Sequence, residues 1–281
     1  MPELFGFDCY SPREIAERVE TVGVAKARLP LPAMFMLGVL AGAFIGLGGL
    51  YSVVITSDPT LGFAAARGLG GLAFSLGLIL VVVAGAELFT GNNLLAMAWA
   101  DRKISTKEML RNWTVVFVAN FVGAAGLAFL VYLSRHGDLN GGLIGRQYVA
   151  LATAKCSLPF EVAFFRGILC NALVCLAVWM ALAGRSVVDK AVAIVFPISA
   201  FVAAGFEHSI ANMYFIPLGL LLKPEFPQVA DSSALTVAGM FQNLIPVVLG
   251  NLVGGSGMVG LVYYVIYRRG TATPTASAGS R

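Results

Sequence analysis

The chain is written in long apolar runs. Six of them, roughly 33–55, 68–98, 113–133, 160–182, 191–222 and 239–266, are long enough to cross a bilayer as helices. The second and fifth exceed the roughly 20 residues of a simple crossing. Each also carries polar residues at its middle, "AGAELFTGNN" (84–93) and "AGFEHSIANM" (204–213). Irregular backbone survives at membrane depth only where protein or a water-filled cavity satisfies its N–H and C=O groups. Both segments are therefore predicted to be helix breaks, re-entrant loops that face an interior path. Ahead of the first run, "SPREIAERVETVGVAKA" (11–27) predicts an amphipathic helix. Ser11 is a good N-cap, Pro12 suits the first helical position, Glu14 completes a capping box, and Ile15, Val19 and Val22 recur at helical spacing.

The runs repeat. "NFVGAAGLAFLVY" (120–132) in the third and "NLVGGSGMVGLVY" (251–263) in the sixth agree at Asn, Val, two spaced Gly, Leu, Val and Tyr. "AGAELFTGN" (84–92) and "AGFEHSIAN" (204–212) share A-G-x-E-x-x-x-x-N. The second run thus echoes the fifth and the third echoes the sixth. Three spans per repeat is an odd number, so the halves insert with opposite orientation. Inverted repeats with polar interruptions at matching places point to a transport path near the bilayer midplane.

Composition places the chain in a class. It is 58% hydrophobic and 12% charged, where a soluble domain is about a quarter charged. The reading is an all-α membrane protein whose surroundings are the lipid bilayer. Residues 1–30 form a cytoplasmic N-terminal segment, 31–267 the six-span domain and 268–281 a disordered cytoplasmic tail. The first 30 residues mix both charge signs and hold no apolar core segment, so no cleaved signal peptide is expected. With six spans, thirteen Lys and Arg fall on the side of the termini. The other side holds six: Arg67, Arg135, Arg146, Lys155, Arg166 and Lys223. That bias puts both termini in the cytoplasm and segments 56–67, 134–159 and 223–238 outside. The net charge of +4 is spread between spans and implies no nucleic-acid partner. The four cysteines, Cys9, Cys156 (in a polar connector, 134–159), Cys170 and Cys175, read as packing or incidental thiols.

The candidate chemistry lies in the two breaks. Breaking a helix exposes an N-terminus whose partial positive charge favours an anion. Glu87 and Glu207 head the breaks, and a bare carboxylate there is costly. One reading has each carboxylate held by backbone N–H groups of the facing loop. The sharper one has them handle ions or protons. His208 is one of only two histidines. Imidazole can hydrogen-bond an anion, or give it a proton so that a neutral acid crosses an apolar constriction. Thr90 is the polar tip of the first break and either binds the same solute or caps its own loop. Asn171, midway along the fourth run, lines the path, orients His208 or bonds between helices. Asn120 and Asn251 hold equivalent repeat positions and read as structural clamps on the loops. Phe74, Leu78, Leu88, Phe89 and Phe201 are candidate apolar gates. His136 reads as a solvated loop residue. No glycine-rich phosphate loop, haem-type histidine pair or His-Glu-x-x-His motif is present, so neither cofactor nor enzymatic activity is expected.

At these residues the chain resembles the formate–nitrite transporter family, and within it the formate channels. The resemblance spans roughly 12–269 and rests on "GVAKARLP", "AGAFIGLG", "FSLGLILVVVAGAELFTG", "NALVCLAVWMALAGRSVVDKA", "FVAAGFEHSIANMYFIPLG" and "NLIPVVLGNLVGGSGMVGLVYYVIY". It implies an aquaporin-like bundle with interrupted second and fifth spans, assembled as a homopentamer with one pore per protomer. It makes His208 the central pore histidine and Thr90 its partner. By position, Lys155 becomes a lysine near the outer vestibule that attracts anions. Asn171 and Glu207 support the centre, and the five apolar candidates fall on the narrow constrictions. One feature departs from the formate channels: "GAELFTGN" carries Glu and Gly where they have the pattern "GADLFTS". The expectation is a bacterial inner-membrane channel for formate and related small monovalent anions, with pH-dependent protonation at His208 and the N-terminal helix as a candidate gate. A nitrite or hydrosulfide channel of the same fold is the near alternative, and a neutral-solute pore the farther one.

Overall fold

A computed structural model describes residues 9–229 and 231–269. The expected disordered tail lies outside the described residues except for Arg268 and Arg269. The described residues are helical and hold no strand. Helix α1 (Pro12–Ala27) starts from the Ser11–Glu14 capping box. It leads into the first span, α2 (Leu31–Thr56). The second apolar run divides into α3 (Phe63–Ile79), a π-helical turn over Leu80–Gly85, a break at 86–90, a tight turn over Gly91–Leu94 and α4 (Leu95–Ala100). Helix α5 (Thr106–Leu133) is the third span. Helix α6 (Leu143–Cys156) precedes the fourth, α7 (Phe160–Ala183). The fifth run divides into α8 (Val187–Ala204) and α9 (Ser209–Leu222), and the break at 205–208 ends with His208 as the N-cap of α9. The last span joins α10 (Val237–Leu252), a π-helical stretch over Val253–Leu261 and α11 (Val262–Tyr267). Among the described residues, six helices are long and apolar enough to cross a membrane. Large side chains such as Leu130, Phe165 and Phe196 are left exposed on them, as lipid or a neighbouring copy requires.

Two expectations need correction. Segment 134–159 is not a plain polar connector. Within it, Ile144, Tyr148, Val149, Ala152 and Cys156 form the buried stripe of α6. The signal was a helical period short enough to be taken for a loop between spans. His136 is not simply solvated. It is half-buried with its ring 6.3 Å from that of Tyr148, and loss of water pushes its pKa down.

The inverted repeat can be followed contact by contact. Glycines let the third span of each half lie against the first, backbone to backbone. A Cβ at Gly123 would strike the Val39 carbonyl oxygen, and one at Gly254 the Ile168 carbonyl oxygen. These pairs stand at matching repeat positions. In the same registration the end of α1 in the first half corresponds to the end of α6 in the second. Each half is thus three spans plus a shorter leading helix, one on each face of the bundle.

Gly123→Leu would push a side chain into the backbone of α2, and overpacking of this kind costs about 3 kcal/mol. The expected outcome is a strongly lowered thermal midpoint of the detergent-purified protein. A wild-type midpoint would contradict the crossing.

Candidate functional site

The two breaks are held by the same hydrogen bonds. Asn120 Oδ1 accepts from the Phe89 N–H at 2.9 Å, and its Nδ2 donates to the carbonyls of Gly38 and Glu87 at 2.7 and 2.8 Å. Asn251 Oδ1 accepts from the Ser209 N–H at 3.0 Å, and its Nδ2 donates to the carbonyls of Gly167 and Glu207 at 2.8 and 3.0 Å. Each amide thus ties its broken loop to the first span of its own half. The backbone N–H groups of Glu87 and Glu207 reach the same spans, at Leu37 and Arg166.

The carboxylates of these glutamates find lysines and asparagines, not the backbone N–H groups expected from the sequence. The loop N–H groups of Phe89 and Ser209 are already taken by the two clamps, and a buried carboxylate is better balanced by a full positive charge. Lys26 Nζ lies 2.7 Å from Glu87 and 3.1 Å from Asn92 Oδ1. Asn92 Nδ2 donates to Glu87 and to Asn112 Oδ1, and Asn112 Nδ2 returns to the Lys26 carbonyl. In the second half Lys155 Nζ lies 3.0 Å from Glu207. Asn212 Nδ2 donates to Glu207 and to Asn243 Oδ1, and Asn243 Nδ2 returns to the Lys155 carbonyl. Lys26, Asn92, Asn112, Asn212 and Asn243 were not singled out in the sequence. The shared Asn five residues after each Glu was a legible signal; Lys26 and Lys155 were not, because "GVAKA" (23–27) and "ATAKC" (152–156) share only the Ala-Lys pair.

Between the breaks the symmetry ends. His208 and Thr90 are both buried, with Nε2 2.9 Å from Oγ1. The Ala211 N–H donates to His208 Nδ1 at 3.1 Å. A ring nitrogen that accepts a hydrogen bond carries no proton, so the neutral ring holds its hydrogen on Nε2, toward Thr90. Asn171 makes no hydrogen bond to His208 among the described residues. Its Nδ2 donates to the carbonyls of Thr90 and Asn251 and to Asn93 Oδ1, so it fixes the backbone beneath Thr90. The Cys175 thiol donates to the same Thr90 carbonyl, which gives one of the four cysteines a specific contact. Asn171 Oδ1, Ser209 Oγ and Asn212 Oδ1 are buried without a protein partner, which leaves acceptor and donor capacity around the break.

A cavity of about 520 Å³ opens on the face opposite α1 and ends at this centre. His208 and Lys155 line it, as do Phe74 and Phe201, whose rings meet edge to face with centroids 5.7 Å apart. Phe201 also stacks on His208 at 5.9 Å. Leu78 and Leu88 are buried in the core and do not line the cavity. Phe89 packs against Phe117 with centroids 5.2 Å apart. The structure thus gathers Phe74, Phe201, His208 and Thr90, and leaves Phe89 packed against the third span.

Paired half-helices that meet at a polar centre, in a bundle of two inverted halves, define a membrane transport protein. The chain belongs to the formate/nitrite transporter family, whose family model matches residues 13–265. It is 42% identical to the formate channel FocA of Escherichia coli over 274 residues, which is 94% of this chain and 96% of that one. A solved pentameric formate channel with formate bound is similar at a TM-score of 0.77 and 40% identity, over 84% of this chain and 97% of that one. An FNT family ion channel superposes at a TM-score of 0.79 and 32% identity, over 90% and 98% of the two chains.

The Lys155–Glu207 pair is buried on both sides. Lys155→Met leaves a bare carboxylate, and breaking such a pair costs about 3–5 kcal/mol. The double variant Lys155→Met with Glu207→Gln should recover most of the lost thermal stability. A double variant no more stable than Lys155→Met would count against the pairing.

Proposed function

We propose that the protein passes formate across the bacterial inner membrane, as a homopentamer with one path per protomer and both termini in the cytoplasm. The observation that carries this reading is the cavity ending on His208, whose Nε2 meets the buried Thr90 hydroxyl, with Lys155 in its wall. The similar pentameric formate channel supports the substrate and the assembly, and the Lys and Arg bias supports the orientation. An anion entering the cavity meets positive charge and then two O–H and N–H donors. It accepts from His208 Nε2 and the Thr90 hydroxyl. Phe74 and Phe201 close the floor, which a hydrated anion crosses poorly and a neutral acid crosses well.

Proton transfer follows from the ring's surroundings. To become imidazolium, His208 must put a proton on Nδ1 and give up the Ala211 bond that caps α9. A carboxylate beside Nε2 offsets that loss. The charged ring then yields its Nε2 proton to the anion, the neutral acid moves on, and Nδ1 passes its proton to Nε2 through the surrounding water to restore the starting form. Each cycle carries one proton with one anion. Nitrite or hydrosulfide is the second reading; Glu87 and Gly91 in "GAELFTGN" depart from the formate-channel pattern and favour nitrite. Competition among the three anions for uptake into proteoliposomes separates the readings.

His208→Phe removes both nitrogens, and loss of a proton-transfer group costs about a hundredfold or more in rate. His208→Asn keeps a donor without exchange, so residual flux should lose its pH dependence. Formate flux in proteoliposomes measured between pH 5 and 8 tests both variants. An unchanged rate and pH profile in the two would sink the proton-linked mechanism.

A further inference from the structure

We infer that Arg67 is a specificity-determining residue of the cavity opposite α1: it converts the end of α8 from a wall that repels anions into one that accepts them. The inference rests on the transport reading above and adds a residue and a direction to it.

The break at 205–208 has two ends of opposite character. The N-terminus of α9 is favourable to an anion, but the C-terminus of α8 presents carbonyl oxygens and repels one. That C-terminus borders the cavity, since Ala204 and Gly205 are part of its lining. Arg67, at the start of α3, covers it. Its Nε donates to the Ala203 carbonyl at 2.9 Å and its Nη2 to the Val202 carbonyl at 3.0 Å. Gly205 stands in a left-handed turn with φ 75° directly beneath, and a Cβ there would come within 2.8 Å of Nη2. The seat for the guanidinium is thus built by the turn itself.

Three facts separate this from routine helix capping. No carboxylate pairs with Arg67 among the described residues, so its charge is not cancelled locally. Its Nη1 has no protein hydrogen bond there and is not among the buried unpartnered atoms, so a donor remains accessible. The scaffold also manages without it. The matching position in the other half is Val187, which is 61% exposed, and there the helix end closes with the π-helical turn Leu80–Gly85 and the Ala86 N–H to the Val81 carbonyl. A cap needed only for the fold would be expected at both ends. With Glu207 balanced by Lys155, Arg67 and Arg166 leave the cavity lining net positive.

The test is formate uptake into proteoliposomes of known sidedness, read as half-saturation from each face at low and high salt. Arg67→Gln keeps an amide donor and removes the charge, and Arg67→Lys keeps the charge. Arg67→Gln should raise half-saturation from the cavity face by roughly three- to tenfold and flatten its salt dependence. The face bearing α1 should change by less than about twofold, and Arg67→Lys should stay near wild type. Equal losses from both faces, or Arg67→Lys as impaired as Arg67→Gln, would reduce Arg67 to a cap and overturn the inference. So would an Arg67→Gln variant indistinguishable from wild type. Wild-type protein that carries no small anion would instead bring down the transport reading, and this inference with it.

Discussion

Two asparagine side chains make the architecture possible. Opening a helix at membrane depth strands backbone groups that lipid cannot satisfy, at several kcal/mol for each. Asn120 and Asn251 each answer one N–H and two carbonyls with a single planar amide. No other neutral side chain offers one strong acceptor and two donors on so short a stem. With the loops fixed, α9 can begin in the middle of the bundle, and His208 can stand at that beginning as its N-cap. The lysine–glutamate pairs are a consequence of the same choice. A loop that turns back at this depth brings its leading glutamate with it, and Lys26 or Lys155 makes that carboxylate tolerable.

Symmetry of the backbone is not symmetry of chemistry. The clamps, the ion pairs and the glycine crossings recur in both halves. At the centre, His208 stands where the first half has Leu88, and Thr90 where the second has Ile210. Asn171 stands where the first half has Gly42, a glycine held close to the Asn120 carbonyl. The three differences cooperate, because Asn171 holds the Thr90 backbone while Thr90 meets His208. An inverted repeat would otherwise present identical surfaces to both sides. Replacing one member of each pair yields a single polar station in place of two.

Much of this was legible in the sequence, and what was not has physical causes. Six spans and two breaks follow from run length and from polar residues in lipid-soluble surroundings. The clamps were legible because both repeats keep Asn in the same phrase. Helix α6 was missed since its apolar stripe is short, and a short amphipathic period between spans looks like a connector. The partners of Glu87 and Glu207 were misassigned because a lysine reaches its carboxylate through tertiary contact from another helix, 61 and 52 residues away. Sequence spacing encodes neighbours along a helix, not across a bundle. Asn171 was seen as buried and polar, but whether it meets His208 or Thr90 depends on rotation about the α7 axis. The π-helical stretch in "VGGSGMVGL" could not be read from its apolar period either.

The same backbone choice that opens the path also restricts what its histidine can do. As the N-cap of α9, His208 spends Nδ1 on the Ala211 N–H. The remaining nitrogen therefore carries the hydrogen and faces Thr90, so the tautomer is set by helix geometry and not by the solute. A histidine on an unbroken helix would have both nitrogens free and either tautomer available. In the cap position only one nitrogen addresses the path, and charging the ring costs the helix a bond. On the proposed reading, an anion beside Nε2 offsets that lost bond, which links proton uptake to solute arrival through one hydrogen bond, without a moving part. On that reading the break in the fifth span is more than a gap for the path to run through: it ties the acid–base chemistry of the centre to occupancy.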